Sequence, residues 1–409
     1  MSFDIFNLSE DLNKAIRKNN YLKPTNIQEL VIPIIKNKQN IIAQSQTGSG
    51  KTASFVLPLL DLFQSYETIK KPKIKILILT PTRELAIQIA QTFINFSEFI
   101  DKKPKIATII GGQSIGDQLL TIQKGCDIVV GTTGRILDII DKKQINLSNV
   151  EHFILDEADK MLDLGFYDQL DMILSQLPNT KQNLMFSATY PPKVLNIASK
   201  ISNDFIKIIS EDKITNKEKI LQRAIMINKH NRSALLRKLI TQNKFKSVLV
   251  FMANKRSTDN IAMKFRKYGF LCDSFHGDLT QDERNYTLKQ FKTKKLNILF
   301  STDIASRGLH IDDIDCVINF DLPRSTDDYI HRIGRTARAG KDGTAISFLD
   351  DDNIDHFKLI EKRNSLSVSK EIIDEFGFIK SEKKETKNKG PIKGKRKSKK
   401  DKLRENITK

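Results

Sequence analysis

The chain has 409 residues, 39% of them hydrophobic and 29% charged, too long for one hydrophobic core and suited to two domains plus a tail. Lys and Arg number 68 against 49 Asp and Glu, a net charge of +19. That balance favours a polyanionic partner, most often nucleic acid, although a general richness in Lys, Ile and Asn would raise the charge without meaning. No apolar run approaches the roughly 18 residues of a membrane helix, and Met1-Ser2-Phe3-Asp4 lacks the basic and apolar regions of a signal peptide. Cys126, Cys272 and Cys316 are too scattered for a metal site, so reduced cysteines, a cytoplasmic location and no membrane contact are expected.

In chain order, Asn40–Ala43 reads as a short strand and Thr52–Phe63 as a helix. Between them lies Ser45-Gln46-Thr47-Gly48-Ser49-Gly50-Lys51-Thr52. Strand, Gly-rich turn, Lys-Thr and helix form the layout of a phosphate-binding loop. Gly48 and Gly50 admit backbone conformations closed to residues with a Cβ. The turn's N–H groups and the helix dipole can then face phosphate oxygens. Lys51 would reach the outer phosphates, and the Thr52 hydroxyl would hold Mg²⁺. Ser45 stands where Gly is usual, and a Gly-Ser turn ahead of a core helix is the plainer alternative.

Ile76–Leu79, Ile128–Val130, Phe153–Leu155 and Leu184–Phe186 follow as near-continuous apolar runs of strand length, with amphipathic stretches such as Glu84–Phe96 between them. Buried parallel strands alternating with helices read this way. The second half repeats the pattern. Val248–Phe251, Ile298–Phe300, Cys316–Ile318 and Ala345–Phe348 are its strands, and Arg232–Gln242, Ser257–Tyr268 and Asp282–Phe291 its helices. The polar stretch 210–219 is the expected linker between a domain at 1–209 and one at 220–365. From 366 a tail is expected; its segment Lys380–Lys409 holds 14 basic and 4 acidic residues and cannot bury enough surface to fold alone. Two parallel α/β sheets joined in this way would enclose a cleft.

Asp156-Glu157-Ala158-Asp159 directly follows an apolar strand, which places it at the carboxyl edge where open α/β sheets bind ligands. Asp156 can hold the Mg²⁺ that Thr52 holds, and Glu157 can orient and partly deprotonate an attacking water. His331-Arg332-Ile333-Gly334-Arg335-Thr336-Ala337-Arg338 sets Arg335 and Arg338 on one helical face. Two permanent charges there suit a transferring γ-phosphoryl group; a basic helix contacting RNA is the alternative.

With Phe3, Asn20–Gln28, Pro81–Ala86, Gly111-Gly112, Ser187-Ala188-Thr189 and Ser301–Gly308, residues 3–350 resemble a DEAD-box ATP-dependent RNA helicase of superfamily 2, most similar to compact bacterial members with a basic tail. The resemblance implies two tandem RecA-like domains, a disordered tail, and ATP with Mg²⁺. It implies that Gln28 reads the adenine edge, that Phe3 packs on the base, and that Tyr21 belongs to the same nucleotide set. Asp303 and Arg307 would line the nucleotide side of the closed interface. Pro81, Thr82, Arg83, Gly112, Thr132, Gly134 and Arg135 would grip one stretch of RNA backbone, and Gly277, Gln281, Arg284 and Thr302 the next. Such contacts carry no base information, so binding is expected to be sequence-independent. Ser187, Thr189, Asp159 and His331 would couple nucleotide state to domain closure.

Four positions depart from the family pattern. Asn20 replaces Gly, Thr133 replaces Pro, Ala337 replaces Gly as a small change, and His310 stands where Asp often contacts the ribose. The expected activity is RNA-stimulated ATP hydrolysis by a monomer that separates short duplexes or remodels ribonucleoproteins. Ribosomal RNA is among the substrates left open. A DNA-directed translocase, or an RNA chaperone acting through the tail, are the rival readings.

Overall fold

The computed structural model describes residues 2–45, 49–67, 71–210, 220–306, 314–337 and 342–379. Among them, seven parallel strands build a first sheet: β1 (Ile41–Gln44), β2 (Ile76–Thr80), β3 (Ile106–Ile109), β4 (Ile128–Thr132), β5 (His152–Leu155), β6 (Gln182–Ser187) and β7 (Ile206–Ile209). Seven more build a second: β8 (Ile220–Met226), β9 (Val248–Phe251), β10 (Cys272–Phe275), β11 (Ile298–Ser301), β12 (Cys316–Asn319), β13 (Gly343–Leu349) and β14 (Lys370–Ile372). The strand orders are β3-β4-β2-β5-β6-β1-β7 and β10-β11-β9-β12-β13-β8-β14. Each member of the second is the first plus seven, so the two halves share one RecA-like topology.

The alternation of side chains along each strand fills both faces. In β2, Ile76 and Ile78 pack with Leu85, Ile89 and Phe93 of the helix Arg83–Phe96. Leu77 and Leu79 point the other way, toward Met161 and Ile173. Each such side chain contributes about 1.5–3 kcal/mol on burial, and helices on both faces explain why the central strands read as unbroken apolar runs.

The strands that the apolar pattern did not reveal are mostly edges. β3, β7, β10 and β14 each end a sheet, and an edge strand needs only one apolar face; Ile206–Ile209 alternates with exposed Lys207 and Ile209. β8 lies inside its sheet but carries Gln222 and Arg223.

The second domain also extends further than expected. β14 pairs with β8 (Lys370 beside Ala224), and Ile373 and Phe376 pack against the domain's core. Asn228 brackets Ile379, donating from Nδ2 to its carbonyl at 3.0 Å and accepting its N–H at 3.1 Å. Residues 366–379 therefore belong to the domain. Residues 211–219 of the expected linker and the basic segment 380–409 lie outside the described residues. Among the described residues, no helix is long and apolar enough to cross a membrane.

Candidate active site

Parallel pairing delivers the chemistry to one edge. Gln44 at the end of β1 lies beside Ser187 of β6, and Leu79 of β2 beside Leu155 of β5. Ser45, Asp156, Ser187-Ala188-Thr189 and Pro81-Thr82-Arg83 thus all emerge at the carboxyl edge of the first sheet.

Gly50 caps the helix Lys51–Phe63 at φ +97°, and a Cβ there would lie 2.6 Å from Gln28 Nε2. Gln28 is buried; it donates to the Gly50 carbonyl at 3.1 Å and accepts from Thr25 N–H at 3.0 Å. One amide hydrogen and one lone pair remain for a base edge. The Ser45 and Ser49 hydroxyls bond to each other. Lys51 Nζ, buried, donates to the Ser45 carbonyl at 2.8 Å. Thr52 is half-buried in the first turn. Gln46, Thr47 and Gly48 lie outside the described residues.

Asp156 is buried, and its Oδ1 accepts from Glu157 N–H at 2.9 Å. Burial pushes its carboxyl up, with the Lys51 ammonium opposing. Glu157 sits at φ +55°. Burial would raise its carboxyl too, but Lys160 and Lys51 hold it below the ordinary range. Its Oε1 accepts from Lys160 Nζ at 2.6 Å, and its Oε2 is buried with no partner. A buried carboxylate that resists ionisation, with an orphaned carboxylate oxygen on the next residue, suits a hard divalent cation that takes oxygen ligands and keeps its waters. Asp156 and Thr52 are the residues that would hold it. Asp159 Oδ2 accepts from Ala188 N–H, Thr189 N–H and the Thr189 hydroxyl at 3.1, 2.9 and 3.0 Å. Ser187 Oγ donates to the Thr189 carbonyl at 2.6 Å.

The second domain faces this edge. Burial and the charges of Lys160 and Arg335 push His331 down to about 3, so its imidazole is neutral. Arg335, buried, exerts its charge on both Glu157 and Lys160. Arg332 holds Asp303 through two bonds of 2.5 and 2.7 Å, and bonds the Asn319 side chain and Asp321 carbonyl as well. Asp303 is therefore fixed by an ion pair. Arg307, His310 and Arg338 lie outside the described residues.

A second cluster joins the two domains. Arg284 Nε meets Glu84 Oε1 at 2.7 Å with both side chains buried, and Arg83 Nη1 donates to Gln281 Oε1 at 3.4 Å. Arg284, expected as an RNA contact, is thus committed to an interdomain ion pair. The Arg83 guanidinium lies on Gly112, where a Cβ would come within 2.2 Å of its Nη1. Burial and the charges of Arg284 and Arg135 lower its pKa, with Glu84 opposing. Three guanidiniums beside one carboxylate make an anion-attracting surface. Pro81 is buried before Thr82, which caps the helix Arg83–Phe96; Thr132 caps Thr133–Asp141, Gly134 is open, and Arg135 donates to the Gln113 carbonyl. Gly277 and buried Thr302 follow β10 and β11.

Two further expectations change. Phe3 is 3% exposed, edge-on to Phe6 and to Tyr21. It packs from the core against half-buried Tyr21, which also meets Phe96 edge-on. Ala337 adopts φ +56°, so its Cβ costs about 1–2 kcal/mol of strain that Gly would not carry; the replacement is not small. Thr133 occupies the first helical position, where proline's fixed φ would serve, and its hydroxyl contacts Met161 Sδ at 3.6 Å. Asn20 does hold φ +60°, as its side chain allows.

Two family models match the chain. DEAD/DEAH box helicase matches residues 25–197, and helicase conserved C-terminal domain matches 231–340. A protein of Methanocaldococcus jannaschii named a probable ATP-dependent RNA helicase is 43% identical over 90% of this chain and 98% of its own length. CshA, a DEAD-box ATP-dependent RNA helicase of Bacillus subtilis, is 38% identical over 85% and 69%. This chain belongs to the DEAD-box ATP-dependent RNA helicases. Among solved structures, S. cerevisiae Dbp5 bound to RNA and ADP BeF3 matches at 30% identity and TM-score 0.81, covering 91% of this chain and 96% of that one. A DEAD box protein from the hyperthermophile Methanococcus jannaschii matches at 42% identity but TM-score 0.52, covering 91% and 99%. This DEAD-box protein is an ATP-hydrolysing, RNA-binding enzyme.

Sequence motifs did not single out Glu84, Lys160 or Arg332. Each is a charged residue that becomes buried through a partner distant in sequence or folded back on its own helix. Only the placement of Arg332 beside Arg335 and Arg338 hinted at a role.

Proposed function

We propose that this helicase separates short RNA duplexes by closing its two domains on ATP and one RNA strand. The observation that carries the reading is that the charged groups of one site come from both domains: Asp156, Glu157 and Lys51 from the first, Arg335 and His331 from the second. The Glu84–Arg284 pair, also interdomain, favours the closed arrangement. Support comes too from the higher TM-score to RNA-bound Dbp5 than to the 42%-identical archaeal protein, which points to domain arrangement rather than sequence.

In this mechanism Gln28 and Tyr21 hold the adenine, and the loop 45–50 with Lys51 holds the phosphates. Mg²⁺, when bound by Thr52 and Asp156, neutralises phosphate charge. Glu157 Oε2 orients the attacking water, while Arg335 and Arg338 stabilise the charge on the transferring group. Against the effect of burial, Lys160 and Lys51 keep Glu157 ionised, so it meets the water as a carboxylate. Arg83, Arg135 and the glycines Gly112, Gly134 and Gly277 face RNA phosphates. The closed grip bends one strand and expels its complement, and phosphate release reopens the cleft.

Glu157→Gln should lower RNA-stimulated turnover by at least about 10²-fold while RNA stays bound with ATP. Wild-type turnover in that variant would reject the role. Equal ATPase stimulation by RNA and DNA of one sequence would reject RNA selectivity.

A further inference from the structure

Lys160 is 3% exposed, an uncommon state for lysine unless it is paired. Its Nζ donates to Glu157 Oε1 at 2.6 Å from three residues along the chain. The other carboxylate oxygen, Oε2, is left buried and without a partner. Glu157 itself holds φ +55°, a backbone conformation that a non-glycine residue keeps only where its surroundings enforce it. The site already has Lys51, and Arg335 opposes the Lys160 ammonium from across the cleft. Added positive charge is therefore not what holds Lys160 there; the bond to one oxygen of Glu157 is.

We propose that Lys160 is a positioning residue for ATP hydrolysis, pinning Glu157 Oε1 so that Oε2 alone is presented to the attacking water. This rests on the role given to Glu157 above. The terminal torsion of a glutamate is broad and roughly two-fold, so an unpinned carboxylate turns its oxygens through many orientations. The bond to Lys160 selects one. Because a displacement of about 1 Å in a reacting group costs up to about 10²-fold, fixing that torsion bears on the chemical step and not on nucleotide affinity.

The test is Lys160→Met in the full chain, which keeps the stem and removes the ammonium. Steady-state ATPase with saturating RNA and the affinity for a fluorescent non-hydrolysable ATP analogue are measured together, with thermal unfolding as a control. The kcat is expected to fall about 10–100-fold, with KM for ATP and analogue affinity within about twofold. Lys160→Arg, which can still donate to Oε1, is expected to recover most of the rate. An unchanged kcat in Lys160→Met, a Lys160→Arg variant as slow as Lys160→Met, or analogue affinity falling in step with kcat would each overturn the proposal. If Lys160→Met melts early, Lys160→Arg alone decides: near wild-type kcat supports the pin, and a loss as large as that of Glu157→Gln rejects it. Should Glu157→Gln itself turn over normally, the role of Glu157 fails; should Glu157→Gln be inactive and Lys160→Met active, only the role of Lys160 fails.

Discussion

Replacing Glu84 by Gln removes one charge from the contact that joins the domains while keeping its shape. The Arg284 and Glu84 side chains are 7% and 8% exposed where they meet at 2.7 Å. When the domains part, both groups regain water, so the penalty for an unpaired Arg284 falls on the closed arrangement alone. Removing one partner of a buried pair costs about 3–5 kcal/mol. The amide introduced by Glu84→Gln would keep an acceptor, so the lower end applies, and about 3 kcal/mol shifts the closed-to-open ratio by roughly two orders of magnitude. The Arg83–Gln281 contact at 3.4 Å is long and offsets little of this. Single-molecule energy transfer between dyes on the two domains reads closure directly, with RNA and a non-hydrolysable ATP analogue present. The RNA concentration for half-maximal ATPase should rise by about 10²-fold in parallel. Thermal stability should shift by no more than about 1 kcal/mol, the worth of an acidic group in a first helical turn. An unchanged closed fraction with unchanged RNA dependence would refute the reading that this pair favours the closed arrangement.

Other perturbations follow from the same geometry. Ala337→Gly relieves the φ +56° strain and should stabilise the second domain by up to about 1 kcal/mol after the entropy cost of Gly; a lower melting temperature would contradict it. His331 titrates at about 3 in the fold against 6.5 ordinarily. The unfolded or opened protein therefore binds the proton more readily. The contribution of neutral His331 to the closed form is fully present above about pH 6.5 and is lost as pH falls from there toward 3, by up to about 1.4 kcal/mol per unit. His331→Asn should flatten the acid side of the RNA-stimulated ATPase profile, and an identical profile would count against the assignment. Cutting after Ile379 should weaken RNA binding and reduce its salt slope while leaving the melting temperature unchanged. Cutting after Ser365 removes β14, Ile373 and Phe376 and should cost the second domain at least about 2 kcal/mol. Equal melting temperatures for the two truncations would place β14 outside the fold.

How much was legible beforehand depended on how local the signal was. The central strands of both sheets were readable because burial on both faces demands consecutive apolar residues, as at Ile76–Leu79 and Val248–Phe251. The phosphate loop was readable because Gly50 at φ +97° and Lys51 are neighbours in the chain. The edge strands and β14 were hidden, since Lys370-Glu371-Ile372 becomes a strand only by pairing with residues about 146 positions earlier (Ala224, Ile225, Met226). The same holds for the site. Asp156 and Glu157 announced themselves by following an apolar strand, but Phe3, expected against the base, turned out to be buried in the core against Phe6 and Tyr21.

By itself, the amino-acid sequence determined the two parallel α/β layers, the nucleotide loop and the acidic pair, because these depend on contiguous patterns of apolar side chains, glycine and charge. Tertiary structure alone decided which charges are neutralised and which are left to act. Arg284 is committed to Glu84, Arg332 to Asp303, and Lys160 to one oxygen of Glu157. The reason is physical: a charge's role is set by its desolvation and its nearest counter-charge. For Arg284 that partner lies 200 positions away in the chain; for Lys160 it is close in sequence, but only the fold around it removes the water.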